Sequence, residues 1–245
     1  MQTPRRGELQ VLQNVVVDVD DNGMITSVGH RDGPVTHDLG ENSVLFPGLI
    51  DTHLHAPQWP QLGTGLDLPL EKWLMEHTFP LEKLLTEPEF AARVWPQMVA
   101  TLLAHGTTTA VYFATIDVET TTMLAATCAE LGQRAFVGRV AMDHPGGTPD
   151  WYRDADANAS IESSHLSIQE IQALGSGLVK PIITPRFTPA CSNDALIGLG
   201  QLSMEMRVRL QTHCSESDWQ HQYALERFRT TDTNALAGFG LIRPN

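Results

Sequence analysis

From residue 44 onward, short apolar runs rich in β-favouring residues alternate with longer helix-patterned stretches, and this alternation limits the possible folds more than any other feature of the chain. Residues 107–114, 134–140, 179–184 and 208–212 read as strands. Residues 118–131, 161–174, 193–206 and 218–229 read as the helices that follow each of them. Strands joined through helices run parallel, because a helix carries the chain back to the starting edge of the sheet. A further strand at 44–55 precedes two helices, 70–85 and 87–104. Ahead of it, residues 11–19 and 24–28 read as short strands around the turn Asp20-Asp21-Asn22-Gly23. The expected organisation is a small β-sandwich-like segment over 1–43 and a β/α domain over 44–245. Five β/α units are countable, whereas a closed (β/α)8 barrel needs eight and typically ~250 residues for the barrel alone. The α/β fold expected is therefore an incomplete TIM barrel, the N-terminal part of a longer protein that stops at Ile242-Arg243-Pro244-Asn245 before a sixth strand. The alternative is an open five-stranded sheet that is complete as it stands.

The composition is that of an ordinary globular protein, 42% hydrophobic and 18% charged. A formal net charge of −13 argues against nucleic acid or an anionic membrane as partner. No run approaches the ~18 apolar residues of a membrane span, and the polar start with Arg5 and Arg6 is not a secretory signal. Three cysteines, Cys128, Cys191 and Cys214, have no paired spacing, which fits a reducing compartment. A cytoplasmic protein is expected.

The first strand of the β/α part ends in His53-Leu54-His55. Residues two apart in a strand share a face, so both imidazoles converge as two ligands of one metal must. His213 ends the strand 208–212, where α/β barrels place their chemistry, and offers a third ligand. Three imidazoles and an open position suit a catalytic divalent metal, zinc foremost. Glu216 follows at the expected start of a helix. Metal ions acidify water, and a carboxylate nearby can relay the proton. Alone, Glu216 reads as a helix N-terminal acid beside the capping candidates Ser215 and Ser217; next to three histidines the catalytic reading is preferred. The other histidines, at 30, 37, 77, 105, 144, 165 and 221, lack such a context and read as surface or packed residues. The absence of Cys-x-x-Cys sets aside the cytidine-type zinc deaminase arrangement.

Phe46-Pro47-Gly48-Leu49-Ile50-Asp51-Thr52-His53-Leu54-His55 resembles the first barrel strand of the amidohydrolase superfamily, and Gly106-Thr107-Thr108-Thr109 its second. Within that superfamily the guanine deaminases are the most similar. The resemblance is carried by His55-Ala56-Pro57-Gln58, Thr78-Phe79-Pro80, Tyr112-Phe113-Ala114-Thr115, Gly132 to Gly138, Lys180 to Phe187 and His213-Cys214-Ser215-Glu216. It implies a (β/α)8 barrel in a homodimeric enzyme that hydrolyses guanine to xanthine and ammonia. It implies His53, His55 and His213 as ligands of one metal, Glu216 as the proton-shuttling group, and Gln58, Arg186 and Phe187 as purine-binding residues. With the C2 amine turned toward the metal, Arg186 can donate to O6, Gln58 can donate and accept, and Phe187 can stack on the ring. Without the resemblance, Arg186 reads as a surface ion pair and Phe187 as core. Trp59 reads equally as pocket wall and as core. The family also uses a histidine after the sixth strand and an aspartate after the eighth. Neither falls within these 245 residues, so the chain by itself is expected to be inactive. The alternatives are an amidohydrolase acting on a related heterocycle such as a triazine, and a non-catalytic scaffold that keeps the fold.

Overall fold

The computed structural model describes residues 1–243; Pro244 and Asn245, at the end of the domain expected over 44–245, lie outside them. The chain divides into two compact units, Met1–Gly48 and Leu49–Asn245. The first holds an antiparallel pair, β1 (Val16–Val19) and β2 (Ile25–Gly29). Their turn forms because Asp20 Oδ1 accepts from the backbone of Asn22 and Met24, while Gly23 takes φ 77°.

In the second unit β3 (Leu49–His55) leads through a 3-10 turn at Ala56–Gln61 into a helical stretch. That stretch is α1 (Leu70–Trp73), one π turn (Leu74–Thr78) and α2 (Phe79–Leu84), in place of the single helix expected over 70–85. Pro80 accounts for the change: it has no N–H to donate, and its ring crowds the carbonyl four residues back, so the backbone widens there. Next come α3 (Pro88–Ala104), β4 (Thr107–Phe113), α4 (Val118–Leu131), β5 (Arg134–Gly138) and β6 (Val140–Ala141). After these follow α5 (Ala157–Ala173), β7 (Val179–Pro181), β8 (Thr184–Pro185), α6 (Asn193–Met206), α7 (Asp218–Phe228) and α8 (Asp232–Gly238).

Strands β3, β4, β5 and β7 form a parallel sheet in that order, and β6 pairs in parallel with β8. The strand expected over 208–212 is reduced to a single parallel bridge, Leu210 to Ile183. Its backbone still tracks β8: Ile183 N donates to Arg209 O and Gln211 N to Ile183 O. Pro185 has no N–H, so the ladder cannot continue through β8. Five successive parallel segments in chain order are the layout of a (β/α) barrel.

The largest core cluster lies between the sheet and α3 to α5. Trp95, Met98, Leu124 and Cys128 pack there on Ala110, Tyr112 and Val137. Alternation along β4 sends Ala110 and Tyr112 toward the helices and leaves Phe113 for the opposite face. Helices α4, α6 and α7 begin where short polar side chains cap them, with Asp117 accepting from Thr120 N, Ser192 from Ala195 N and Ser217 from Gln220 N. Asp156 caps α5 in the same way and starts it four residues before the expected position. Cys128 and Cys191 are buried, which pushes both thiols up to about 12, and all three cysteines are free.

At Gly138 the backbone of β5 approaches its neighbour so closely that a Cβ would run into the Thr184 side chain and the Ile182 carbonyl. Gly138→Ala is expected to destabilise the fold by about 1–3 kcal/mol, as overpacking does. A lowered urea midpoint for this variant checks the close approach; an unchanged midpoint shows that the strands can part.

Candidate active site

The end of β3, the residues that follow β8 and the segment after Leu210 line a cleft of about 580 Å³, together with the turn after β3, α1 and the end of α3. His53 and His55 stand on one face of β3, while Leu54 packs into the core behind it. His213 enters from the segment after Leu210. One ligand atom from each imidazole lies within 4.8 Å of the other two, a grouping that could hold a metal ion. Below them lies Phe113, with ring centroids 4.9, 4.6 and 4.4 Å from His53, His55 and His213.

The electrostatics suit cation binding. Burial, followed by the neighbouring His213, Arg186 and His53, holds His55 well below its ordinary pKa. Burial likewise lowers His213 to about 3, against the hydrogen bond it makes with Arg186. Its Nδ1 lies 2.7 Å from the Arg186 carbonyl oxygen, which can only accept. The proton is thereby placed on Nδ1 and the Nε2 lone pair is left free. That Nε2 faces His55 Nε2 at 2.8 Å, and His55 Nδ1 is buried without a partner. Two imidazoles with lowered pKa, converging nitrogens and an orphaned ring atom form a donor set that a divalent cation would complete.

Glu216 lines the cleft but is not in a helix. Ser217 is the cap of α7, so Glu216 sits one residue before it, and its N–H donates to Gln220 Oε1 at 3.1 Å. Much of its surface is open to solvent, yet the cleft walls thin the water around it. That desolvation raises its pKa above the usual carboxylate range against the pull of Arg186 and His53.

Arg186 is not a surface residue: it is 2% exposed and paired with Glu82, which is fully buried. Nη1 donates to Oε2 at 2.6 Å and Nη2 to Oε1 at 2.9 Å, with the Phe79 ring 4.9 Å from the guanidinium carbon. Burial works against this charge, but Glu82 outweighs it and Arg186 is held above its ordinary pKa. Gln58, in the 3-10 turn after β3, donates to the same Oε1 at 3.3 Å. Phe187 is 1% exposed, packs with Phe79, Phe113 and Tyr152, and also lines the cleft. Trp59 borders both the main core and the cleft.

Two residues that sequence reasoning missed organise this site. Glu82 is one, since a glutamate in a helical stretch reads as solvated. The other is Asp232, fully buried at the start of α8. It accepts from Thr188 Oγ1 at 2.7 Å, Ser215 N at 2.8 Å and Gln220 Nε2 at 2.6 Å. It thereby holds the loop between His213 and Glu216, in which Ser215 takes φ 53°. The cue available in the sequence was Thr231-Asp232, a capping pair before a short helix.

A model of the amidohydrolase family matches residues 44–244, and the chain belongs to this family. It is 38% identical over 232 residues to a guanine deaminase of Dictyostelium discoideum, covering 86% of this chain and 51% of that protein. It is 41% identical over 194 residues to a probable guanine deaminase of Schizosaccharomyces pombe, covering 78% of this chain and 36% of that protein. Among solved structures, a guanine deaminase from C. acetobutylicum with guanine in its active site superimposes with a TM-score of 0.86 at 30% identity, covering 98% of this chain and 57% of that one. The chain thus spans from about a third to just over half of the length of these relatives.

His53→Ala and His213→Ala are each expected to lower bound metal severalfold, because two imidazoles hold a divalent ion poorly. Elemental analysis of the purified variants checks this, and unchanged stoichiometry rules the site out. Asp232→Ala removes the acceptor shared by Thr188 Oγ1, Ser215 N and Gln220 Nε2 and is expected to cost at least about 2 kcal/mol. An unshifted unfolding midpoint for that variant shows that the loop holds itself.

Proposed function

We propose that the full-length protein carrying this chain hydrolyses guanine to xanthine and ammonia, using one divalent metal, zinc, held by His53, His55 and His213. The observation that carries the reading is the convergence of three imidazoles at the mouth of a cleft that Glu216, Arg186, Gln58 and Phe187 also line. The likeness to curated guanine deaminases, and to a solved one with guanine bound, supports it. A neutral three-nitrogen donor set suits zinc. When bound, the ion supplies acidity to water and Lewis-acid polarisation of the substrate.

The chain's own residues supply the rest. Glu216, with its raised pKa, is suited to take a proton from the attacking water and return it to the departing amine. Arg186 is a fixed cation that can only donate, so it matches the O6 carbonyl of guanine. Gln58 binds the neighbouring ring edge, and Phe187 forms a flat apolar wall against the purine. The Phe113 ring shields one side of the imidazoles from water, and burial favours the neutral form of His55 and His213.

No helix among the described residues is long and apolar enough to cross a membrane. Free cysteines support a cytosolic location. Assembly as a homodimer rests on the family resemblance and is open to test by light scattering.

Glu216→Gln in the full-length protein is expected to keep its metal and lose about 10²–10⁴-fold in kcat, since an amide cannot relay a proton. Ammonia release from guanine, with adenine, cytosine and melamine as comparison substrates, checks both the reaction and the ring. Near wild-type turnover by a metal-loaded Glu216→Gln protein removes Glu216 from the mechanism.

A further inference from the structure

We propose that Glu82 is a positioning residue that sets the hydrogen-bonding polarity of the substrate edge, so that Arg186 and Gln58 together recognise a cyclic lactam, a C=O beside a ring N–H. This rests on the guanine reading above and names the group of the substrate by which that site selects.

Three facts carry the proposal. First, Glu82 is 0% exposed, so its bonds to Arg186 and Gln58 are not exchanged with solvent. Second, a single oxygen, Oε1, accepts from both Arg186 Nη2 and Gln58 Nε2, which puts the two side chains next to each other. Third, a carboxylate in an ion pair only accepts, so the Gln58 amide cannot flip: its NH2 must face Glu82 and its carbonyl oxygen is left for a ligand. Arg186 has no acceptor at all. The pair therefore offers a fixed donor beside a fixed acceptor. Guanine carries the complement, O6 beside N1–H. Adenine carries the reverse, an amine beside a bare ring nitrogen, and leaves buried polar groups unpaired.

The helical stretch is shaped to deliver Glu82. Phe79 and Glu82 are both buried and lie three residues apart on α2, one face-on to the guanidinium and the other against its edge. The π turn that precedes them sits directly beside this cradle, as such turns commonly do at functional sites. Arg186 is also fixed through its carbonyl oxygen, which accepts from His213 N at 3.1 Å. Glu82 touches neither the imidazoles nor Glu216 and acts through Arg186 and Gln58.

Guanine and 2-aminopurine share the C2 amine and differ at the lactam, so their comparison isolates this role. In the full-length, metal-loaded protein, Glu82→Gln is expected to lower kcat/KM for guanine about 10- to 100-fold, mostly through KM, as loss of a charge-fixed hydrogen bond does. 2-Aminopurine is expected to change by less than about threefold, within the context scatter of such contacts. Glu82→Asp is expected to recover part of the guanine preference. Equal losses for both purines, or no loss for either, overturn the proposal. If Glu82→Gln does not fold, the double variant Glu82→Leu/Arg186→Met replaces the buried pair with an apolar one. It is expected to fold and to have lost the guanine preference; a retained preference overturns the proposal. Calorimetry with Glu216→Gln protein reads the same ratio as binding without turnover. Absence of ammonia release from guanine by the wild type therefore refutes the proposed reaction, while the ratio of binding constants with and without Glu82→Gln still decides the role of Glu82.

Discussion

Arg186 is gripped from both ends, and most of the site depends on that grip. Its carbonyl oxygen accepts from the backbone N–H and the Nδ1 of His213, so one peptide group fixes both the position and the tautomer of an imidazole of the candidate metal site. Its guanidinium is locked to Glu82, 104 residues away in sequence. A buried ion pair of this kind adds little net stability, because desolvation of the two charges offsets their attraction. Its cost when broken is large, since an uncompensated buried charge remains. The pair is therefore better understood as a device for registering α2 against β8 than as a source of folding free energy.

The second constraint is the apolar floor. Phe113 lies beneath all three imidazoles and offers them no hydrogen bond. Desolvation there lowers His55 and His213, and neutral rings are the form in which histidine binds a cation. The alternation of β4 produces this arrangement, with Tyr112 turned to the helical core, where its hydroxyl donates to Gln133, and Phe113 turned to the site. A two-residue periodicity thus separates the part of the strand that holds the fold from the part that conditions the chemistry.

Much of this was legible in the chain because the signals were local. The bounds of α4 and α6 match the periodicity, since Asp117 and Ser192 mark their starts and Gly132, at φ 78°, closes α4. The pairing of His53 with His55 follows from strand geometry alone. What was not legible depended on distant partners. Nothing near Glu82 announces that an arginine more than a hundred residues on will bury it. The alternative reading of Arg186, as a surface ion pair, fails for the same reason, since its partner comes from the interior. Residues 208–212 have strand composition, but Pro185 on the neighbouring segment removes the donor that a regular ladder needs. Glu216 was expected at the start of a helix with Ser215 and Ser217 both available as caps, and only the structure shows that Ser217 takes the cap and leaves Glu216 ahead of it.

Asp232 gives the site a lever outside the cleft. Through Ser215 N and Gln220 Nε2 it joins α8 to the loop that carries Glu216, while α8 itself supplies only Leu236, and that to a minor neighbouring hollow. Substitutions that tilt this short helix would move Glu216 without altering any residue that lines the main cleft. Variation in catalytic rate among relatives can accordingly accumulate in α8, where a comparison restricted to pocket residues would find no difference.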